Sequence, residues 1–110
     1  MKSVNIKRGD VVLVNLDPTI GREIRKTRPC VIVSPDELNS YLQTFIVSPM
    51  TTGEHSYPFR IGCRFQGKSG YIIADQIRTI DRNRVVRTLG PLSTQALSSV
   101  LSVLQEMFAV

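Results

Sequence analysis

Tryptophan is absent from this chain, histidine occurs once, at position 55, and cysteine only twice, as Cys30 and Cys63. The two cysteines lie in separate apolar segments with no Cys-x-x-Cys or Cys/His spacing, which excludes a zinc ribbon or a disulfide scaffold and predicts buried free thiols. No HxxxE, DxD or clustered carboxylate set offers a hard or borderline metal enough ligands, so a metal-dependent mechanism is disfavoured and no cofactor is expected. A single histidine in a turn-rich segment also makes a Ser-His-Asp or Cys-His hydrolase hard to build. No apolar run approaches the roughly 18 to 20 residues of a membrane span. The opening MKSVNIKRGD has no long apolar core of a signal peptide, and together these absences predict a cytoplasmic protein without membrane contact.

What is present is a composition suited to one folded domain over residues 1–110, with 42% apolar and 21% charged residues. The net charge is +5, and its placement is uneven. Seven of the fourteen Lys and Arg precede residue 30, the other seven lie between Arg60 and Arg87, and the last 23 residues carry none. If the two blocks meet in space they form a basic face suited to a polyanion; scattered solvated charges are the plainer alternative.

Residues 11–17, VVLVNLD, predict a strand ending at an Asp-Pro turn, and residues 18–27, PTIGREIRKT, a long loop. CVIVS then predicts a core strand, and Ser34-Pro35-Asp36-Glu37 a helix start that Asn39-Ser40 stops after one or two turns. QTFIVSPM, YPFRIGCRF, GYIIAD and RVVRTLG predict four further strands, with Pro58 placing the second of them at an edge and TTGEHS forming a loop. Beyond Pro91, apolar residues at Leu97, Val100, Leu101, Leu104, Met107 and Phe108 predict one amphipathic helix with Ser93 as N-cap. Six short strands and a closing helix predict a mainly β fold, a small antiparallel barrel or bent sheet with the helix packed on it.

The segment RGDVVLVNLDPTIGREIRKTRPCVIVSP resembles the opening of the MazF/PemK toxins of bacterial toxin-antitoxin pairs, and the likeness continues through VSPMTTGEHSYPFRI, GYIIADQIRTID and LGPLSTQALSSVLSVL. The resemblance implies an SH3-like antiparallel β-barrel with a short helix after the second strand and a long C-terminal helix. It also implies a homodimer that cleaves single-stranded RNA at short sequences without a metal, and an acidic antitoxin that occupies the RNA groove. Two positions depart from what some family members use. Arg22 stands where a histidine would act as acid or base, and Ile73 stands where an Arg-x-Asp pair would begin, although Asp75 is retained.

RNA supplies its own nucleophile, the 2′-hydroxyl, so the protein needs donors for the dianionic phosphorane and groups that move two protons. Arg28 suits the role of donor, because Pro29 holds its backbone extended and the following apolar strand anchors it. A surface pairing with Asp17 or Glu23 is the structural alternative. The resemblance implies Thr51 as its partner, with Thr52 able to substitute. Glu23 is the candidate proton acceptor if burial raises its pKa, and is equally a salt-bridge partner for Arg25 or Arg28.

Candidates for RNA contact are Arg22, Arg25, Lys26, Thr52, His55, Tyr57, Asp75, Gln76 and Arg78, with Arg82, Arg84 and Arg87 as further phosphate contacts. Asp75 could equally shape the groove, and Tyr57 and Phe59 could belong to the core. A non-catalytic RNA-binding barrel is the rival reading. A gyrase poison of the same fold is disfavoured, because such toxins end in a tryptophan-containing tail and this chain finishes EMFAV.

Overall fold

A computed structural model describes residues 5–53 and 57–110. Seven strands and two helices follow in the order β1 (Asp10–Asn15), β2 (Thr27–Ile32), α1 (Asp36–Asn39), β3 (Thr44–Thr52), β4 (Arg60–Phe65), β5 (Lys68–Ile73), β6 (Arg78–Asp81), β7 (Val85–Pro91) and α2 (Thr94–Met107). Short 3-10 turns over Ala74–Gln76 and Arg82–Arg84 flank β6. Every strand pairing is antiparallel.

The apolar runs of β1 and β2 are continuous because both faces of these strands are covered. Val12, Val14, Cys30 and Ile32 pack with Phe45, Val47 and Ile80 on one side. Val11, Val31 and Val33 pack on the other with Met50, Ile72 and Val100 of α2. Fully burying a side chain of this size contributes roughly 1.5–3 kcal/mol of transfer free energy, so these two clusters hold the sheet. Gly9, in the turn just before β1, has a φ of 93°, and a Cβ there would lie 2.7 Å from Leu97 Cδ2 of α2. That turn therefore favours glycine on conformational grounds, and a side chain there would also oblige Leu97 to shift.

Helix α1 stops after one turn because Asn39 folds back into buried hydrogen bonds. Its Nδ2 donates to the Ser34 carbonyl at 2.9 Å, and Ser34 Oγ donates to Asn39 Oδ1 at 2.6 Å. Helix α2 begins as predicted, with Ser93 Oγ accepting from the Ala96 N–H at 3.1 Å. Its stripe is shorter than predicted: Leu97, Leu101 and Leu104 pack on the core, whereas Phe108 lies past the helix end and is exposed. Among the described residues no helix is long and apolar enough to cross a membrane.

Strand β3 organises the sheet. It pairs with β2 on one edge, while on the other its first half pairs with β6 and its last residues with β5. The hydrogen-bonded path β4-β5-β3-β2-β1-β7 does not close on itself, so the expected barrel is an open sheet. Gln66 Nε2 spans part of the gap by donating to the Leu89 carbonyl of β7 at 2.8 Å.

The edge position predicted for β4 is observed, although Pro58 sits in the turn before the strand. Strand β6 is not among the strands that patterning predicts; it is four residues long and only Ile80 is fully buried, too little to make a pattern. Thr27 belongs to β2, and Thr51 and Thr52 to β3, rather than to the loops predicted for them, and β2 also takes in Arg28.

Candidate active site

Two prolines open the site. The β2–β3 ladder runs from Ile32↔Val47 through Val31↔Ser48 to Cys30↔Pro49 and ends there. Pro49 and Pro29 have no N–H to donate, so the ladder has no backbone donor with which to continue at these positions. Beyond that point β2 stays with β1, through Leu13↔Pro29 and Val14↔Arg28, while β3 turns to β5, through Thr51↔Tyr71. Extending the β2–β3 register by two residues sets Arg28 opposite Thr51. A pocket of about 260 Å3 lies where the strands part, lined by both residues.

Arg28 is half-buried, and its Nε donates to the Arg25 carbonyl at 3.2 Å. The pairing with Asp17 or Glu23 considered above does not form: among the described residues the one ion pair joins Arg60 to Asp75. The Arg28 guanidinium is thus placed by backbone and left for an incoming anion. Thr51 Oγ1 donates to the Thr52 carbonyl at 3.2 Å, a contact a rotating hydroxyl can exchange for a phosphate oxygen. Thr51 is also set by Gly70 of β5, because a Cβ on Gly70 would collide with the Thr51 carbonyl.

The far wall of the pocket comes from the β4–β5 hairpin. Gln66 (φ 50°) and Gly67 (φ 80°) form its two-residue turn, and positive φ at both positions is the mark of a type I′ turn. The turn brings Gln66, Lys68, Ser69 and Tyr71 to the pocket. Sequence reasoning missed all four. The Gln-Gly pair between two apolar runs was the available signal, but nothing local shows which side of the sheet the hairpin faces.

A second pocket of about 690 Å3 lies under the loop of residues 18–26 and is lined by Arg22, Glu23, Pro49, Asp75, Gln76 and Arg78 among others. Glu23 therefore sits apart from the Arg28–Thr51 pocket. It is exposed, so the burial on which its candidacy as a base depended is missing, and its Oε1 accepts from the Ile20 N–H at 2.7 Å within its own loop. Gln76, nominated for RNA contact, uses Oε1 to accept from the Ile24 N–H at 2.7 Å and so ties the loop to the sheet. Arg78 Nη1 donates to the Leu16 carbonyl at 3.0 Å. Arg84 holds the Asn15 and Asp17 carbonyls, and Arg82 those of Asn39 and Leu42, with its guanidinium 4.3 Å from the Phe45 ring centroid. These three arginines fasten the fold, because carbonyls at strand and helix ends lack other donors. Arg22, Arg25, Lys26 and Arg87 remain exposed, as do Thr52 and Tyr57, and His55 lies outside the described residues.

Arg60 and Asp75 form a two-point pair, Nε–Oδ1 at 3.0 Å and Nη2–Oδ2 at 3.2 Å, with the guanidinium 4.9 Å from the Tyr57 ring centroid. Hydrogen bonding to Arg60 holds the Asp75 carboxyl below the ordinary carboxylate range and raises Arg60. Burial pushes the Cys63 thiol up, and pushes Cys30 up to about 12 against a smaller opposing effect of Arg78. Both cysteines are free thiols. Among the described residues no three His, Cys, Asp or Glu side chains converge as metal ligands.

Residues 7–108 match the family described as "PemK-like, MazF-like toxin of type II toxin-antitoxin system". The chain belongs to this toxin family. It is 34% identical over 101 residues to the endoribonuclease MazF of Staphylococcus epidermidis, covering 86% of this chain and 84% of that protein. It is 36% identical over 72 residues to the endoribonuclease toxin MazF of Escherichia coli K12, where the match spans 66% of this chain and 65% of the relative's length. The fold matches that of MazF from Deinococcus radiodurans, with a TM-score of 0.87 at 26% identity over 98% of this chain and all of that one. It also matches MazF in the MazE–MazF complex of the same organism, at a TM-score of 0.78 and 25% identity, covering 98% and 100% of the two chains.

Arg60 of β4 is the cross-strand partner of Ile73, and its guanidinium reaches Asp75 from there. The Asp75 carboxylate is thus held by a guanidinium from across the β4–β5 rung.

Proposed function

We propose that this toxin-family chain is a sequence-specific endoribonuclease that cuts single-stranded RNA by 2′-hydroxyl attack without a metal ion. The observation that carries the reading is the convergence of Arg28 and Thr51 on one pocket where β2 and β3 part. Arg28 donates two N–H groups to the non-bridging oxygens of the phosphorane, and Thr51 donates a third hydrogen bond. Arg28 is held in place by the Arg25 carbonyl before substrate arrives, and the Thr51 hydroxyl need only rotate away from the Thr52 carbonyl. The 2′-hydroxyl loses its proton, attacks the adjacent phosphorus and expels the 5′-oxygen, which takes up a proton. Glu23 is not assigned either proton, because its side chain belongs to the other pocket. The exposed Arg22, Arg25 and Lys26 guide the RNA strand past the site.

The names of the relatives support this activity, and the MazE–MazF assembly supports an acidic antitoxin as the partner that silences it. A disordered acidic segment would be drawn to the +5 surface and fold along the same cleft. A homodimer acting in the cytoplasm completes the proposal.

End-mapping of a long RNA tests it. Discrete cuts that persist in EDTA, disappear in Arg28→Ala, and fail when the ribose before the cut is replaced by deoxyribose are the expected result. Tight binding without scission would favour the non-catalytic barrel, and scission at the deoxyribose would mean attack by water.

A further inference from the structure

The Arg25 carbonyl that holds Arg28 Nε belongs to a peptide group whose other end is also held. The N–H of that same unit, carried by Lys26, donates to Asp17 Oδ1 at 3.0 Å. A trans peptide is rigid and planar, and its N–H and C=O point in opposite directions. The Asp17 side chain and the Arg28 guanidinium therefore face each other across one rigid unit, and whatever turns that unit moves the Arg28 anchor. Lys26 shows that the unit is held against its own preference. Its φ is 69°, in the left-handed region that residues with side chains rarely enter and keep only where their surroundings demand it. Both of its backbone groups are bound, the N–H to Asp17 and the C=O to the Leu16 N–H at 3.0 Å. Asp17 is itself a fixed post. Its N–H donates to Asn15 Oδ1 at 3.1 Å, and its carbonyl accepts from Arg84 Nη1 at 2.6 Å. On the other side of Arg25 the Ile24 N–H is tied to Gln76, so the anchor is bracketed from both directions.

We propose that Asp17 is a positioning residue of the site, which aims the Arg25 carbonyl at Arg28 Nε and so turns the Nη1 and Nη2 edge towards the phosphorane. The inference rests on the ribonuclease reading for what Arg28 stabilises. A carboxylate oxygen on the N–H also polarises the peptide, which makes its carbonyl a stronger acceptor for the guanidinium. With Nε engaged there, Nη1 and Nη2 are left to bind the non-bridging oxygens. The direct ion pair between Asp17 and Arg28 is thus replaced by a contact relayed through one peptide, which orients the cation without neutralising it. Direct pairing would occupy the donors that the phosphorane needs.

A double-mutant cycle tests the relay. Asp17→Ala should slow single-turnover cleavage about tenfold, the scale of a small misplacement of a reacting group, with affinity for a deoxyribose-blocked RNA unchanged. Asp17→Asn keeps an accepting Oδ1 and should restore the rate to within about threefold, since the two side chains serve backbone N–H groups equally well. In an Arg28→Ala background, Asp17→Ala should cost less than about twofold more, because it acts through a group already gone. A full tenfold loss in that background, or a loss in Asp17→Asn equal to that in Asp17→Ala, would overturn the proposal. Hydrogen exchange of the Arg28 Nε–H, followed by NMR and assigned by its disappearance in Arg28→Lys, should be about tenfold faster in Asp17→Ala. Unchanged exchange would overturn it too. If Asp17→Ala does not fold, Asp17→Glu takes its place, since it keeps the charge but displaces the acceptor. It should cut more slowly than Asp17→Asn, and the reverse order would sink the relay. A wild type that cuts no RNA would strike the ribonuclease reading alone, and the exchange measurement would still decide whether Asp17 holds Arg28.

Discussion

The proposed charge stabilisation rests on a few atoms whose positions come from neighbours rather than from their own segment. Removing a preorganised donor from a developing oxyanion typically costs about 10²–10³ in rate, so Arg28→Ala should slow single-turnover cleavage by that factor. Glu23→Gln should leave the rate unchanged, since its carboxylate serves the Ile20 N–H; a loss as large as that of Arg28→Ala would return Glu23 to the proton-transfer step. Cys30 gives a pH prediction of definite sign. Its folded-state pKa is raised by burial to about 12 from 9.0, so the neutral thiol favours the native state. That contribution is complete below the unfolded value and is lost as pH rises from about 9 towards 12. Denaturant midpoints should fall across this window more steeply in the wild type than in Cys30→Ala. The Arg60–Asp75 pair acts in the opposite direction, helping above the unfolded carboxylate pKa and fading in acid, but its exposure limits it to roughly 0–1 kcal/mol.

At the level of elements, β3 is the shared wall between the two pockets, and its register with β5 decides where Thr51 points. Gly70→Ala drives a methyl group into the Thr51 carbonyl, a backbone atom that has nowhere to go. Overpacking of this kind typically costs about 1–3 kcal/mol, and thermal unfolding should show it. Activity should fall further than stability explains, because relief requires β3 to shift at Thr51. The loop of residues 18–26 hangs from the sheet through Gln76. Gln76→Ala leaves the Ile24 N–H without its acceptor, at a cost of about 1–3 kcal/mol for a buried donor and less for this partly buried one. Faster proteolysis within the loop, with the sheet intact, is the expected signature. Equal protection in wild type and variant would mean that other contacts hold the loop.

For the whole molecule, the +5 charge divides into two working populations. Arg78, Arg82 and Arg84 are spent on carbonyls of the fold, whereas Arg22, Arg25 and Lys26 stand exposed at the loop. Affinity for single-stranded RNA should therefore fall steeply with salt, each phosphate contact contributing about 0.7 to the logarithmic slope. Arg25→Ala should reduce that slope by about this amount. Arg84→Ala should leave the slope and lower stability instead, since it holds Asn15 and Asp17. The reverse pattern would invalidate this division of the cations.

Local sequence was sufficient wherever the deciding interactions are local or repeat along the chain. The continuous apolar runs of β1 and β2, the Ser93 cap and period of α2, and the one-turn α1 followed from patterning and capping. The place of Arg28 at the edge of a core strand was legible because its neighbour is proline and an apolar run follows. Tertiary structure decided the rest. Only the crossing of strands sets Thr51 over Gly70, sends Glu23 to a different pocket from Arg28, and gives Asp75 a guanidinium from β4. Only the folding of the β4–β5 hairpin turns Gln66 and Lys68 into pocket residues. The physical reason is range: capping and periodicity act over a few residues along the chain, whereas a hydrogen bond or a pocket wall depends on which distant strands the sheet brings side by side.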